Sequence, residues 1–205
     1  MFPVPEPFGA RADADTLRLV TEHPLAWVVS REGLSATPLP VRPLLNGEGR
    51  LTGLISHLSR RNPQLEILRK TPRATLLFMG PQGYISPSWV SKRTWGPTWN
   101  YASAAFDCSL EFIEDAEGLR ALLDDLAVSL EAGRPNAWSV EEMGPRYEKL
   151  SQAILGFRAT ILDQRSVFKL GQDENDAVFA EILEGLGDGP LADWMAAFRG
   201  GAETP

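Results

Sequence analysis

Short apolar runs bounded by turn residues dominate the first 110 positions, and this pattern predicts β-strands. Two β-rich runs flank the segment 31–33, which is a hairpin signal. The second run contains Pro38 and Pro40, and because proline cannot donate to a strand ladder, we expect that strand at a sheet edge or at a bulge. A third strand follows the turn at 46–49, and a buried strand over "RATLLFMG" is predicted to end in a turn through "GPQG".

Helical periodicity is confined to a few segments. An acidic opening and a stop before Pro24 predict a short helix near the N-terminus. Asn62 and Pro63 resemble an N-cap and a first helical residue of a second short helix. Leucines on one face predict an amphipathic helix from Asp115 or Ala116 to Ala132. A long strand over "NYASAAFDCSLEFI", a last strand over "LGFRATILDQ" and helices over "GPRYEKLSQAI", "DENDAVFAEILEGL" and "PLADWMAAF" complete the prediction.

The order of these elements indicates the fold class. Strand–helix alternation is missing from the first 110 residues, so the pattern favours an α+β protein with a mainly antiparallel sheet or barrel. We expect a barrel domain over residues 1–135 and a helix-rich extension over residues 136–205 that packs on it as one compact unit.

Composition and motifs narrow the chemistry. A net charge of −7 makes direct DNA contact a poor expectation. With two histidines and one cysteine, the chain excludes a His-rich or thiolate metal site and an internal disulfide, and it fits a reducing, cytoplasmic compartment. No apolar run long enough to span a membrane, no secretory signal, and no common hydrolase, NTPase or dinucleotide motif is present.

The segment 83–101 is unusually aromatic, with three tryptophans and two tyrosines. Such rings can pack into a core or subunit interface, or they can form the wall of a site for a flat ligand with polar edges. Both interpretations remain open at this point, and a site at a dimer interface would satisfy both.

Several motifs in this region and beyond resemble one family. "SHLSRRNPQ" (56–64), "FMGPQGYISPSW" (78–89), "GPTWNY" (96–101), "ILGFRATI" (154–161) and "FKLGQDEN" (168–175) are similar to successive motifs of PaiB-type FMN-binding negative transcriptional regulators. The resemblance runs from about residue 1 to residue 186 and implies the FMN-binding split-barrel fold. The segment from the third strand to "KTPRATLLF" also resembles pyridoxamine-phosphate-oxidase-like split barrels.

The resemblance implies FMN as the cofactor and a homodimer with its ligand site at the subunit interface. It implies that residues around the head of the second helix meet the flavin phosphate, which is chemically apt because guanidinium groups fork onto phosphate oxygens. The aromatic segment would supply the wall for the flavin ring. The residues assigned to the cofactor are Ser56, His57, Arg60, Arg61, Asn62, Tyr84, Ser86, Ser88, Trp89, Lys92, Thr98, Trp99 and Asn100.

The chain departs from the family pattern at positions beside these motifs. Pro38 and Gln82 stand where the pattern has histidines, and Leu65 and Val90 stand where it has aromatic rings. Gly96 also departs from it. These positions bear on the edges of a ligand site, whereas the motifs that indicate the fold are kept.

Three functions follow as hypotheses. The first is a dimeric flavin-binding module of the PaiB transcriptional-regulator type, acting on DNA or through a partner. The second is an FMN-dependent oxidoreductase of a small molecule, in which the cofactor carries the electron chemistry. The third is a family member that keeps the fold without flavin. No catalytic residue is assigned, because no acid–base pair stands out.

Overall fold

The computed structural model describes residue 4 and residues 7–200 of the chain. Its elements follow the predicted order, except that the second predicted strand is divided at Val41 into two strands. No described helix has the length and apolar character needed to cross a membrane. The strands are β1 (Leu25–Ser30), β2 (Ala36–Pro40), β3 (Arg42–Leu45), β4 (Leu51–Ser59), β5 (Arg73–Ile85), β6 (Thr98–Ile113) and β7 (Ile154–Lys169). The helices are α1 (Asp13–Glu22), α2 (Gln64–Lys70), α3 (Ala116–Glu131), α4 (Arg146–Ser151), α5 (Asp176–Leu186) and α6 (Pro190–Arg199), with 3₁₀ turns at Pro87–Trp89 and Val140–Met143.

The strands form one seven-stranded antiparallel sheet in the order β2-β1-β5-β6-β7-β4-β3. β2, the strand that contains Pro38 and Pro40, lies at one edge of the sheet, in agreement with the prediction from these prolines. Pro38 pairs with Trp27 of β1. In β4 and β7, Ser56 lies opposite Phe157. The α+β class and the antiparallel sheet are therefore confirmed. Among the described residues, the hydrogen-bonded order ends at β2 and β3, and the sheet is not a closed barrel.

The predicted turn through "GPQG" is wrong. β5 continues through these residues to Ile85, with Gly80 and Pro81 both buried. Gly80 lets α1 pack closely against β5 and does not reverse the chain, because a Cβ atom at this position would overlap the Leu19 side chain of α1. A glycine in a strand can mark either a turn or a close approach, and the local sequence does not distinguish the two.

The helix boundaries agree with the predicted capping chemistry to within one or two residues. The Asp115 carboxylate accepts a 2.7 Å hydrogen bond from the Gly118 amide and caps α3. α2 begins at Gln64, one residue later than expected from Pro63, and the Asn62 side chain accepts the Gln64 amide at 2.9 Å. Both caps satisfy N–H groups that a helix start leaves without partners.

The chain divides into two compact units that are each discontinuous in sequence. The first, here called the helical unit, comprises the described residues up to 23 together with 78–104 and 165–200, and Phe168, Trp194 and Phe198 stack in its core. The second, here called the sheet unit, comprises residues 24–77 and 105–164. Its core includes Ile55 and Ile113 of the sheet and three leucines of α3. Neither unit coincides with the expected boundary at residue 135, and that division stays a prediction.

Candidate functional site

Arginine side chains at the end of β4 and on α2 surround an open concavity of about 620 Å³ in the sheet unit. Its lining includes Arg60, Arg61, Asn62 and Arg69, with Glu66 as an acidic member. The Asn62 amide donates to the Ser59 carbonyl at 3.0 Å, and the Arg61 amide donates to the Ser59 hydroxyl at 3.2 Å. These bonds close a tight turn. The turn places both adjacent arginines at the concavity.

The three guanidinium groups differ in their partners. Arg69 donates to Glu114 at 2.8 Å, and Arg60 approaches the other oxygen of the same carboxylate at 3.6 Å. Within the part of the chain that the structure describes, the exposed Arg61 side chain forms no ion pair or hydrogen bond. One carboxylate thus faces two arginines while a third cation is free. This arrangement leaves an excess of positive charge at the concavity that suits a phosphate.

Asn62 holds the arginine turn against the sheet. Its amide nitrogen donates to the Thr37 hydroxyl on β2 at 2.8 Å, while its amide oxygen accepts the Gln64 backbone. Gln64 is fully buried and donates to the Val28 and Ser35 carbonyls at 2.8 Å. The Asn62 side chain therefore has only its second amide N–H left to donate to a ligand. The main contribution of Asn62 in the structure is to position the turn.

Ser56 and His57 precede the turn on β4 and face other surroundings. Ser56 is fully buried, and its hydroxyl donates to the Pro40 carbonyl at 2.6 Å, so a ligand contact would require that bond to be exchanged. His57 is half-buried and lines a separate apolar cavity rather than the arginine concavity. Burial lowers the pKa of His57 from its ordinary value, which favours the neutral imidazole.

In the helical unit, Tyr84 and Trp99 form an exposed aromatic pair. Their ring centroids lie 6.1 Å apart with a tilt of 53° between the planes. The Trp99 indole N–H donates to the Gln82 side-chain oxygen at 2.7 Å, and Trp99 is 50% exposed. Gln82, which departs from the family pattern, therefore fixes the orientation of a predicted ligand-contacting ring. The exposed surface of the pair can serve as a wall for a planar ligand.

The segment between these two aromatic residues is fastened to α5 and to the loop that precedes α5 in the same unit. The Ser91 amide donates to Glu181 at 2.9 Å, and the Trp95 indole donates to Glu174 at 3.0 Å. Trp89 packs directly against Gly185, where a Cβ atom would overlap the indole ring. Trp89 is thus used in packing on α5. Of the two interpretations left open for these rings, Trp89 and Trp95 show the contacts expected of structural side chains.

The remaining predicted residues of the helical unit are placed as follows. Ser86 and Ser88 share a 2.7 Å hydroxyl–hydroxyl hydrogen bond, and Lys92 is exposed. Thr98 and Asn100 line a small pocket of about 100 Å³, in which the Lys169 ammonium donates to the Thr98 hydroxyl. Asn100 is buried and donates to the Met195 sulfur at 3.5 Å.

The structure thus groups the thirteen predicted residues by unit. Five lie in the sheet unit and eight in the helical unit, where residues 84–100 form one continuous segment. The sequence does not indicate Arg69 as a site residue, because a cation in the last turn of a helix is equally explained by its interaction with the helix dipole. The sequence signal for Arg69 is its spacing of eight residues from Arg61. A helix that directly follows the turn can place a side chain from its last turn at the same concavity.

Comparisons with known proteins bear on the family and the fold of the chain. Residues 1–163 match the model of a family described as "Putative FMN-binding domain". The chain is 27% identical over 201 residues to "Protease synthase and sporulation protein PAI 2" of Bacillus subtilis, covering 94% of each chain.

Two solved structures share the fold. An FAD and heme binding protein from Mycobacterium smegmatis has a TM-score of 0.58 at 21% identity, with 86% of this chain and 79% of that chain covered. A flavocytochrome from Azotobacter vinelandii has a TM-score of 0.57 at 18% identity, with coverage of 77% and 68%. At these identities the structural likeness concerns the fold alone.

Proposed function

Because this chain belongs to the FMN-binding domain family whose model it matches, we propose that it is an FMN-binding protein of the PaiB regulator type whose Arg60–Arg61 turn binds the flavin phosphate. The observation that carries this proposal is the free Arg61 guanidinium at a concavity that also holds Arg60 and Arg69. A phosphate monoester carries nearly two negative charges, and it would supply the acceptors that Arg61 lacks among the described residues.

The helical unit, taken by itself, holds side chains that suit a planar aromatic ligand. The exposed Tyr84–Trp99 pair offers an aromatic surface against which a flat ring can pack. Ser86 and Ser88 offer hydroxyl groups in the same segment, and Lys92 offers an exposed cation there. When bound, FMN supplies electron and hydride transfer chemistry. In this proposal the role of the arginine turn is to bind the phosphate.

We also propose that the sheet curls into a split barrel. The two edge strands, β2 and β3, are separated in the chain by Val41 alone. Seven strands laid flat would hold these edges roughly 29 Å apart at about 4.8 Å per interval, whereas two residue steps span at most about 7 Å. The Ser56–Pro40 hydrogen bond also joins β4, next to one edge, to β2 at the other. Both observations favour a strongly curved sheet.

The proposed assembly is a homodimer. Large apolar side chains are exposed on the neighbouring strands β1 and β5, and within the sheet unit they include Leu25 at 63%, Trp27 at 53% and Leu77 at 41%. Such clusters mark interaction surfaces more often than isolated apolar residues do. A second copy would cover this face. The split-barrel resemblance supports the same assembly.

The regulatory role is the remaining part of the proposal. The net charge of −7 disfavours direct DNA binding, so regulation through a protein partner or by sensing of flavin fits the chain better. The buried free thiol of Cys108 suits a reducing compartment, which supports a cytoplasmic location.

Titration of purified full-length protein with FMN tests the flavin assignment. We expect saturable quenching of flavin fluorescence with one FMN per chain, together with a shift of the flavin absorption bands. A linear response without saturation, in protein shown to be folded by circular dichroism, would refute the proposal.

A further inference from the structure

A second cavity in the sheet unit, of about 420 Å³, is lined almost entirely by apolar side chains. It lies between α3 and the segment that contains the 3₁₀ turn Val140–Met143 and α4, and its lining includes Leu126, Leu130, Trp138 and Met143. Small-molecule sites typically enclose about 300–1,000 Å³ and combine an apolar wall with few polar groups. The cavity has the size and the character of such a site.

His57 lines this cavity together with the polar residues Glu131, Tyr147 and Ser151, and it is the one that carries a buried ring nitrogen without a partner among the described lining residues. It lines the wall from β4, and its Nδ1 atom is buried without a hydrogen-bond partner. In the described part of the chain, the His57 side chain forms no hydrogen bond at all. A buried polar group without a partner in a native structure calls for an explanation. Because Nδ1 has almost no exposed surface, a ligand with one hydrogen-bonding group would reach the imidazole at its other nitrogen, Nε2.

The charges around the cavity define the ligand class. Among the described lining residues, Glu131 is the only acid, and no lysine or arginine is present. The Glu131 carboxylate accepts the Trp138 amide at 3.2 Å and lies 3.6 Å from the Arg134 guanidinium. An anionic ligand would find no counter-ion here, and the one carboxylate is already engaged. The lining therefore favours an uncharged molecule.

The cavity wall is held in place without a ligand. Arg120 of α3 donates to both oxygens of Asp124 at 2.9 Å and to Glu141 of the 3₁₀ turn. Its guanidinium also lies 5.1 Å from the centre of the Tyr147 ring on α4. One side chain thus links α3, the turn and α4. A preformed cavity reduces the entropic cost of binding.

We propose that this cavity binds a small uncharged molecule with an apolar body and one hydroxyl or carbonyl group that hydrogen-bonds to His57. This site is distinct from the proposed phosphate site, because its lining shares no residue with the arginine concavity. The proposal does not depend on flavin binding.

The test uses N-phenyl-1-naphthylamine, an uncharged apolar fluorophore, with the purified full-length protein. We expect saturable enhancement of its fluorescence in the wild type. Ala127→Trp, which fills the cavity from α3, should weaken binding at least tenfold. Val128→Trp is the matched control, because Val128 is the next residue on the same helix, is 73% exposed and does not line the cavity. It should leave binding unchanged.

Two competitors test the role of His57. 1-Naphthol should displace the probe from the wild type about three- to tenfold more effectively than naphthalene, the factor expected for one neutral hydrogen bond. His57→Leu should abolish this preference while keeping naphthalene binding. If Ala127→Trp proves poorly folded by circular dichroism, Ala127→Met provides the same steric test.

Equal probe binding by Ala127→Trp and Val128→Trp would overturn the proposal. It would also be overturned if Ala127→Trp changed only the oligomeric mass in sedimentation, since the cavity would then be a surface between copies. FMN titration of Ala127→Trp should match that of the wild type, which separates this site from the flavin site.

Discussion

The Ser56 hydroxyl on β4 donates a 2.6 Å hydrogen bond to the Pro40 carbonyl on β2. The hydroxyl is fully buried, so Ser56→Ala would leave that carbonyl without this donor in a dry environment. We expect the free energy of unfolding to fall by about 1–2 kcal/mol, measured by chemical denaturation. Ser109→Ala is the control, because the Ser109 hydroxyl on β6 is half-buried and forms no hydrogen bond within the described residues, and it should change stability by less than about 0.5 kcal/mol. Equal effects of the two changes would show that the bond does not hold the sheet edges.

Trp27 provides the test of the proposed dimer. A lysine at this exposed β1 position would place a charge in the apolar surface formed with Leu25 and Leu77. We expect sedimentation equilibrium to show a dimer for the wild type and a monomer for Trp27→Lys, with the same melting cooperativity. Arg158→Lys, at an exposed position on β7, is the control that should remain dimeric. A monomeric wild type at tens of micromolar concentration would contradict the proposed assembly.

Cys108 should be inert in the native state. Burial raises the pKa of its thiol to about 12, with a further contribution from the neighbouring Asp107 carboxylate. The reactive thiolate is therefore scarce at neutral pH, and access to it is blocked. We expect a thiol-specific chromogenic reagent to modify Cys108 only after denaturant unfolds the chain. Rapid stoichiometric labelling under native conditions would show that the strand around Cys108 opens readily.

Stability should decrease as the solution becomes acidic through the histidine range. Burial lowers the pKa values of both His57 and His23 below the ordinary value of 6.5. Between the lowered and the ordinary pKa, the unfolded chain binds more protons than the folded one, so stability rises with pH in this window. His57→Gln should reduce the slope of unfolding free energy against pH between about pH 5.5 and 7.

The control for this pH effect is the double variant His23→Gln/His57→Gln. It should show a flatter profile than either single variant, because both histidines contribute with the same sign. Identical slopes for the wild type and the double variant would contradict the inferred burial of the neutral imidazoles.

The order of elements could be predicted from sequence because it depends on local signals. Proline placement identified β2 as an edge strand, and the Asp115 cap and leucine spacing identified α3. The continuation of β5 through Gly80 could not be predicted, since it depends on the approach of Leu19 from 61 residues away in sequence. Long-range packing of this kind leaves no periodic signal in the strand itself.

The candidate site shows the same division between local and long-range information. The arginine pair was identified by its motif, and the turn that presents it is local. The commitment of Ser56 to Pro40 and of Asn62 to Thr37 depends on strands brought together by the fold. The apolar cavity at His57 likewise requires α3 and α4 to be placed around β4. A sequence motif therefore identifies the region of a site, but it does not show which side chains in that region are free to bind a ligand.

The preference of the protein for FMN over riboflavin tests most directly the central claim that Arg60 and Arg61 bind the flavin phosphate. FMN and riboflavin differ only in the phosphate, so the ratio of their dissociation constants isolates the contribution of Arg60 and Arg61. We predict that the wild type binds FMN at least tenfold more tightly than riboflavin, as expected for about 1.5–3 kcal/mol per charge-assisted hydrogen bond. The Arg60→Ala/Arg61→Ala variant should lose most of this preference, with Arg69 as the remaining cation of the concavity, while Arg158→Ala keeps the wild-type ratio. A ratio unchanged by loss of both arginines would contradict the account.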